Sequence, residues 1–487
     1  MKRRRSIPST IVLFAGAVFL ARPIVLAADD VLTRVAVHAD RFGALSRQIW
    51  ENPELGYHED KSAALLQQEL RANGFTVKDH LAGMPTAFTA EWGNGKPVIG
   101  IMGEFDALPG LSQQDAPTPS PVKKGAPGHA CGHNLLGSAS ALAAVAIKED
   151  MQARGLKGTI RYYGTPAEEG GGGKIYMIHA GLFADADAVL AWHPGDSNRV
   201  NLGSNLANNG GLFRFYGVAS HAAAGPERGR SALDGAMIML NAVELLREHV
   251  PQETRIHYII TNGGAAPNVV PAFAEINLIA RHPDVNTLNM VWERIMKCAQ
   301  AGALASETRM EFEQGTNYTS LLPNDVLTDV LSRAMQKAGG YQFSAEERRF
   351  AAELQKTLGA PVEDRPGPDK LITDKSTPQG VASSDAGDVS WSVPLGHFTT
   401  ATFAPGVGAH TWQAAACAGA AIGRKGMIVA ARTLALGAID LFEHPDEVQA
   451  ARAAFEKRKA GRSWTTRVPA KGKPPLDYAT RGQTDKD

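Results

Sequence analysis

Val98-Ile-Gly-Ile-Met102, Thr159-Ile-Arg-Tyr-Tyr163 and Ala188-Val-Leu-Ala-Trp192 are short apolar runs with helical stretches between them. Leu135 to Lys148 is Ala-rich at helical spacing, and Lys174 to Ala180 follows a glycine run. Strands alternating with helices predict an α/β layer with a mostly parallel sheet. Upstream, Lys61 to Asn73 carries Leu65, Leu66 and Leu70 at helical spacing and stops at Gly74. Glu104, Glu168 and His193 each follow one of the strand runs, and in open α/β sheets that edge is where ligands bind.

From Leu212 the rhythm changes to strand (212–218), helix (231–248), strand (255–261), strand (273–280), helix (287–301) and strand (309–313). This βαββαβ order is the split, ferredoxin-like pattern. It predicts a small domain over residues 209–317, inserted into a larger one made of residues 29–208 and 318–465. The larger domain resumes with a helix over 324–337 and ends on an Ala-rich helix over 425–442. Residues 359–380, rich in Pro, Asp and Lys without periodicity, read as a surface loop. The basic, Pro-containing tail beyond Arg462, taken as a separate segment from 466 to 487, reads as a loosely held arm.

A chain of 487 residues exceeds one ordinary core of about 100 to 200 residues, so two domains are expected. With 50 Lys plus Arg against 50 Asp plus Glu, no net field gathers nucleic acid or an anionic membrane. Lys2 to Arg5 is basic, Ile11 to Leu20 is apolar, and small residues follow at Ala27 and Ala28. That is a signal-peptide pattern over residues 1–28, too short to span a bilayer, with adjacent arginines that fit twin-arginine export. The expectation is an exported, periplasmic protein with no stable membrane insertion after cleavage. Three cysteines are too few for a disulfide scaffold, and Cys298 and Cys417 read as buried small apolar residues.

Cys131 has other company, in Gly128-His129-Ala130-Cys131-Gly132-His133-Asn134. A thiolate and an imidazole flanking one glycine can hold a metal, but the spacing equally admits a nucleophilic Cys paired with His133. Thr165-Pro-Ala-Glu168-Glu169, ahead of Gly170 to Gly173, offers adjacent carboxylates: one could bind an ion while its neighbour faces water as general base. A solvated acidic turn is the plainer alternative. His193 closes a strand and His410 lies in Gly406-Val-Gly-Ala-His410-Thr; together with Cys131, His133 and Glu169 they form an N, S and O donor set large enough for two ions.

Glu104-Phe-Asp106-Ala-Leu-Pro-Gly, Gly-His-Ala-Cys131-Gly-His133-Asn-Leu-Leu-Gly, Pro-Ala-Glu168-Glu169-Gly-Gly-Gly-Gly-Lys and Ala-Ser-His221-Ala-Ala resemble, in order, the aminoacylase and glutamate-carboxypeptidase-like family of dinuclear metallopeptidases. The chain is most similar to its amidohydrolase branch, and there to members acting on p-aminobenzoyl-glutamate, with which it shares Ser-Ser-Asp385-Ala-Gly-Asp388-Val-Ser-Trp391. The likeness covers about residues 32 to 445. Auxin-conjugate members have an Asp and a further His where Asn134 and Leu135 stand here.

The resemblance implies a hydrolase that cleaves the amide bond of a small N-acyl or N-aroyl amino acid. Cys131 would join or bridge two divalent ions, zinc or manganese, and His133, Glu169, His193 and His410 would complete the shells. Glu168 would be the general base and Asp106 would orient a ligand, where unaided reading makes Asp106 a helix cap. The small domain would form a homodimer and act as a lid. From it His221 would reach the partner's site to stabilise the oxyanion, while Asn268 and Arg281 bind the substrate carboxylate; a surface ion pair is the other reading of Arg281. Other outcomes remain in view: an aminoacylase or dipeptidase of the same family, a thiol amidase built on Cys131, and an exported binding protein without catalysis.

Overall fold

The computed structural model describes residues 30–200, 203–359, 362, 365–372 and 382–480. The expected signal peptide and most of the loop over 359–380 therefore lie outside the described residues. Among the described residues twelve strands form two sheets: β1 (Thr76–Lys78), β2 (Phe88–Asn94), β3 (Val98–Gly103), β4 (Gly158–Gly164), β5 (Ala188–Gly195), β6 (Asn198–Val200), β7 (Ala207–Tyr216), β8 (Arg255–Asn262), β9 (Phe273–His282), β10 (Arg309–Tyr318), β11 (Leu371–Ile372) and β12 (Leu395–Ala401). The large sheet runs β1-β2-β4-β3-β5-β12-β6-β11. Its centre, β4-β3-β5-β12, is parallel, while β1, β2 and β6 join antiparallel.

Every residue of β3 is buried, which explains why Val98 to Met102 reads as a continuous apolar run rather than an alternating one. Its side chains still alternate between faces. Ile99 and Ile101 join the core beneath helices Val31–Glu51, His133–Arg154, Asp325–Ala338 and Ala421–Glu443, whereas Val98 and Met102 join the opposite core with Tyr163, Val189 and Met177. The sheet is thus covered on both faces, as a parallel sheet requires.

The small sheet is antiparallel throughout, in order β10-β7-β9-β8. Helices Ala232–Leu246 and Val285–Ala305 bury their apolar sides against it, forming a core around Phe213, Ile276, Leu278 and Trp292. Ser231 and Asp284 cap the two helices through their side chains. Strand β8 lies at the edge, with Ile259 and Ile260 exposed.

Among the described residues no helix is long and apolar enough to cross a membrane. All three cysteines are free; Cys417 is buried and Cys298 half-buried. One expectation is overturned. The segment beyond Arg462 is not a loose arm through residue 480: Trp464 Nε1 donates to Asp388 Oδ1 at 2.7 Å, Thr466 Oγ1 and Arg467 N donate to Asn317 Oδ1, and Val468 and Tyr478 pack on the second core. Composition suggested solvent, but three aromatic and aliphatic side chains among the basic residues supply the docking surface.

Candidate metal centre

The site forms where the parallel strands end. Gly132, in the left-handed region at φ 79°, turns the chain between Cys131 and His133. A side chain there would also meet Pro194 at 2.9 Å, so the close approach of this turn to the end of β5 requires glycine. His133 is the first residue of its helix and fully buried. Its Nδ1 lies 2.9 Å from Asp106 Oδ1, which leaves Nε2 facing the cluster, 3.2 Å from Glu104 Oε2. His193 is oriented alike: Nδ1 lies 2.8 Å from the Pro194 carbonyl and Nε2 lies 3.4 Å from Cys131 Sγ. Such contacts at Nδ1 fix the tautomer that offers Nε2 to a cation.

Glu169 approaches from the loop after β4. Its amide donates to Asp106 Oδ2 at 2.9 Å, and its Oε1 lies 3.2 Å from Nε2 of His410. His410 is more than half exposed, and its amide donates to the Ala130 carbonyl at 2.9 Å. Among the described residues three donor triads result, Cys131 with His133 and His193, Cys131 with Glu169 and His410, and Glu104 with His133 and Glu168; in each the ligand atoms lie within 4.8 Å of one another. Cys131 belongs to the first two and His133 joins the first to the third.

These donors fit divalent cations. His133 Nε2, Glu104 Oε2 and Glu169 Oε1 are buried without a hydrogen-bond partner, although each lies 3.2 Å from a neighbouring polar atom. Buried imidazole and carboxylate atoms that face one another without a hydrogen-bond partner are the donor types that would ligate divalent cations. Burial, with the negative charge of Glu169 next, pushes the Cys131 thiol well above its usual pKa.

Glu168 is buried beside Glu104 and His133. Burial, then the charges of Glu104, Glu169 and Asp385, raise its pKa well above the ordinary carboxylate range. Glu104 behaves oppositely. Burial would raise it, but Lys174, His133 and His193 together bring it down to about 2. Lys174 is fully buried and joins Glu104 Oε1 at 2.8 Å to Asp385 Oδ1 at 2.6 Å. Sequence reading assigns none of these three a role. Glu104 and Asp385 stand inside recognisable motifs, but a lysine at a helix start reads as solvated.

A cavity of about 740 Å³ opens over the donors, reaching Trp192, Arg199, Asn208, Arg281 and Ser383. Arg281 Nη1 lies 3.4 Å from Ser383 Oγ, and no carboxylate among the described residues pairs with it; burial lowers its pKa. The structure does not bring His221 or Asn268 to this cavity. They sit side by side in the small domain, where the Ala222 amide donates to the Asn268 carbonyl and the exposed His221 ring accepts from the amides of Ala223 and Ala224.

Residues 100–364 match peptidase family M20/M25/M40. The chain is 38% identical over 437 residues to a subunit of the p-aminobenzoyl-glutamate hydrolase of Escherichia coli strain K12, covering 84% of this chain and 90% of that one. It is 32% identical over 440 residues to human Xaa-Arg dipeptidase, covering 86% and 89%. Its fold resembles a dinuclear metal binding peptidase of the M20 family from Bacillus subtilis, with TM-score 0.57, 17% identity and 84% and 99% of the two chains covered. Converging donors at the end of a parallel sheet, a family match over more than half the chain and two relatives aligned over most of their length lead to one conclusion: this chain is a hydrolase belonging to peptidase family M20/M25/M40.

Proposed function

We propose that the protein is an exported, dinuclear metallo-amidohydrolase that cleaves the amide bond of an N-acyl or N-aroyl amino acid resembling p-aminobenzoyl-glutamate. The observation that carries this reading is the pair of donor triads sharing Cys131, with the Glu168 carboxylate beside them. Cys131, His133, Glu169, His193 and His410 would hold two divalent cations, zinc or manganese, which supply Lewis acidity and lower the pKa of a water. Glu168 takes the proton of the attacking water and returns it to the leaving amine. Cations would also offset the charges that now raise its pKa, restoring the ionised form a base requires. Asp106 holds two ligands at once through His133 Nδ1 and the Glu169 amide.

Arg281, half-buried in the cavity wall without a carboxylate partner among the described residues, is suited to the carboxylate of the amino-acid half. The apolar stretch of cavity that includes Trp192 and Leu321 suits an aromatic acyl half. The Escherichia coli relative is one subunit of its enzyme, which leaves room for a hetero-oligomer, but the exposed edge of the small domain supports assembly with a second copy.

The test joins metal analysis to hydrolysis of p-aminobenzoyl-glutamate, hippurate, N-acetyl amino acids and dipeptides. Two ions per chain are expected, with activity lost on exhaustive chelation and restored by divalent cations. Glu168→Gln should lose at least about a hundredfold in kcat while retaining metal. Full activity with one ion per chain would overturn the dinuclear reading. Preference for dipeptides over aroyl amino acids would move the substrate toward that of the dipeptidase relative, and binding without turnover at full metal occupancy would make the protein a non-catalytic binder.

A further inference from the structure

We propose that Tyr478, near the end of the docked C-terminal segment, is a positioning residue that fixes Glu169 for metal binding. The inference rests on the reading of Glu169 as a metal ligand.

The loop from Ala167 to Gly171 has no regular secondary structure, and side chains from distant segments take its backbone polar groups. The Ala167 amide donates to Glu59 Oε1 at 2.8 Å, and the Glu168 carbonyl accepts from the Tyr318 hydroxyl at 3.3 Å. The Gly171 carbonyl accepts from the Tyr57 hydroxyl at 2.7 Å. Glu169 is held on both sides: its amide donates to Asp106 Oδ2 at 2.9 Å, and its carbonyl accepts from the Tyr478 hydroxyl at 3.1 Å. These bonds pin the two peptide groups that flank the Glu169 Cα, so only side-chain torsions remain to place the carboxylate.

The loop needs such support. Ala167 has φ 57°, a left-handed conformation that costs a non-glycine residue about 1 kcal/mol or more and persists only where the surroundings impose it. Tyr478 supplies bulk as well as a donor. Its ring meets Tyr57 edge-on at 5.6 Å, and a Cβ added at Gly171 would come within 2.8 Å of it. The run of glycines therefore serves close packing: it lets the tyrosine lie directly under the backbone that carries both carboxylates. Upstream, Trp464 on Asp388 and Thr466 on Asn317 anchor the same segment.

Tyr478→Phe removes the donor and keeps the ring. Zinc affinity, measured on the metal-free full chain by competition with a chromophoric chelator, should fall about tenfold, at the low end of losses seen when a residue supporting a ligand is removed. Turnover of any substrate found should fall through kcat with KM little changed, and the Tm of the metal-free protein should stay nearly constant. Zinc affinity within twofold of the parent overturns the proposal, and so does a lowered Tm with affinity unchanged. Should Tyr478→Phe not fold, Trp464→Phe, which loosens the segment at Asp388, must itself weaken zinc binding or the proposal fails. Because the zinc titration needs no substrate, its outcome is separate from whether the protein hydrolyses amides.

Discussion

Glu59 is fully buried, with Thr86 donating to Oε2 at 2.7 Å and the Ala167 amide to Oε1 at 2.8 Å. Burial, then the charge of Asp106, pushes its carboxyl up to about 8. An acid whose folded pKa lies above its unfolded value of about 4.3 makes the native state hold a proton that the unfolded chain has released. Its contribution is therefore fully present below about pH 4 and is lost as pH rises toward 8. Glu59→Gln cannot ionise, and it can accept from the Ala167 amide while its Nε2 donates to the Thr86 hydroxyl, so it should gain on the parent between pH 5 and pH 8, by about 3–4 kcal/mol. Urea unfolding at the two pH values measures this; parallel pH dependence in parent and variant would mean that Glu59 ionises normally. Residue types are only partly legible at this scale. Cys131, His133, Glu168 and Glu169 declare themselves because their neighbours have no other use, whereas His58-Glu59-Asp60 is indistinguishable from a solvated polar run until Thr86 and Ala167 fold over it.

Three elements meet at Lys174: the end of β3 through Glu104, helix Gly173–His179 through the lysine itself, and the start of helix Ala386–Ser390 through Asp385. All three side chains are buried, so removing the cation leaves two carboxylates without their counter-charge. Lys174→Met should cost about 3–5 kcal/mol, and Lys174→Met with Asp385→Leu should recover part of it, because the second change removes one stranded charge. Denaturant unfolding of the single and double variants decides this, and a double variant less stable than Lys174→Met would refute it. Elements with strong local periodicity, such as the βαββαβ unit, were readable. Strand β12 was not: Gly396, His397, Thr399 and Thr400 dilute its apolar signal, and it is a strand because β5 and β6 pair with it on both sides. Helix Val31–Glu51 was missed differently. Its buried Val35, Phe42, Leu45 and Ile49 are well spaced, but it follows so closely on the leader that it invites reading as part of it.

At the scale of the whole molecule, the small domain contributes Arg281 to the cavity yet holds His221 and Asn268 away from it. Its two helices cover one sheet face, and edge strand β8 exposes Ile259 and Ile260. An edge with unpaired backbone groups and apolar side chains is suited to pairing with its own copy across a two-fold axis, which would close an otherwise sticky surface. A homodimer of this kind could carry His221 to the other chain's metals, where an imidazole donor would stabilise the oxyanion. His221→Ala should then cost about a hundredfold or more in turnover with metal content unchanged, the range for loss of one oxyanion donor. Mixing His221→Ala chains with Glu168→Ala chains should restore part of the activity, since each mixed dimer holds one site with both groups intact. A mixture as inactive as either parent, despite exchange of chains shown by mass or fluorescence, would mean that His221 does not act across the interface.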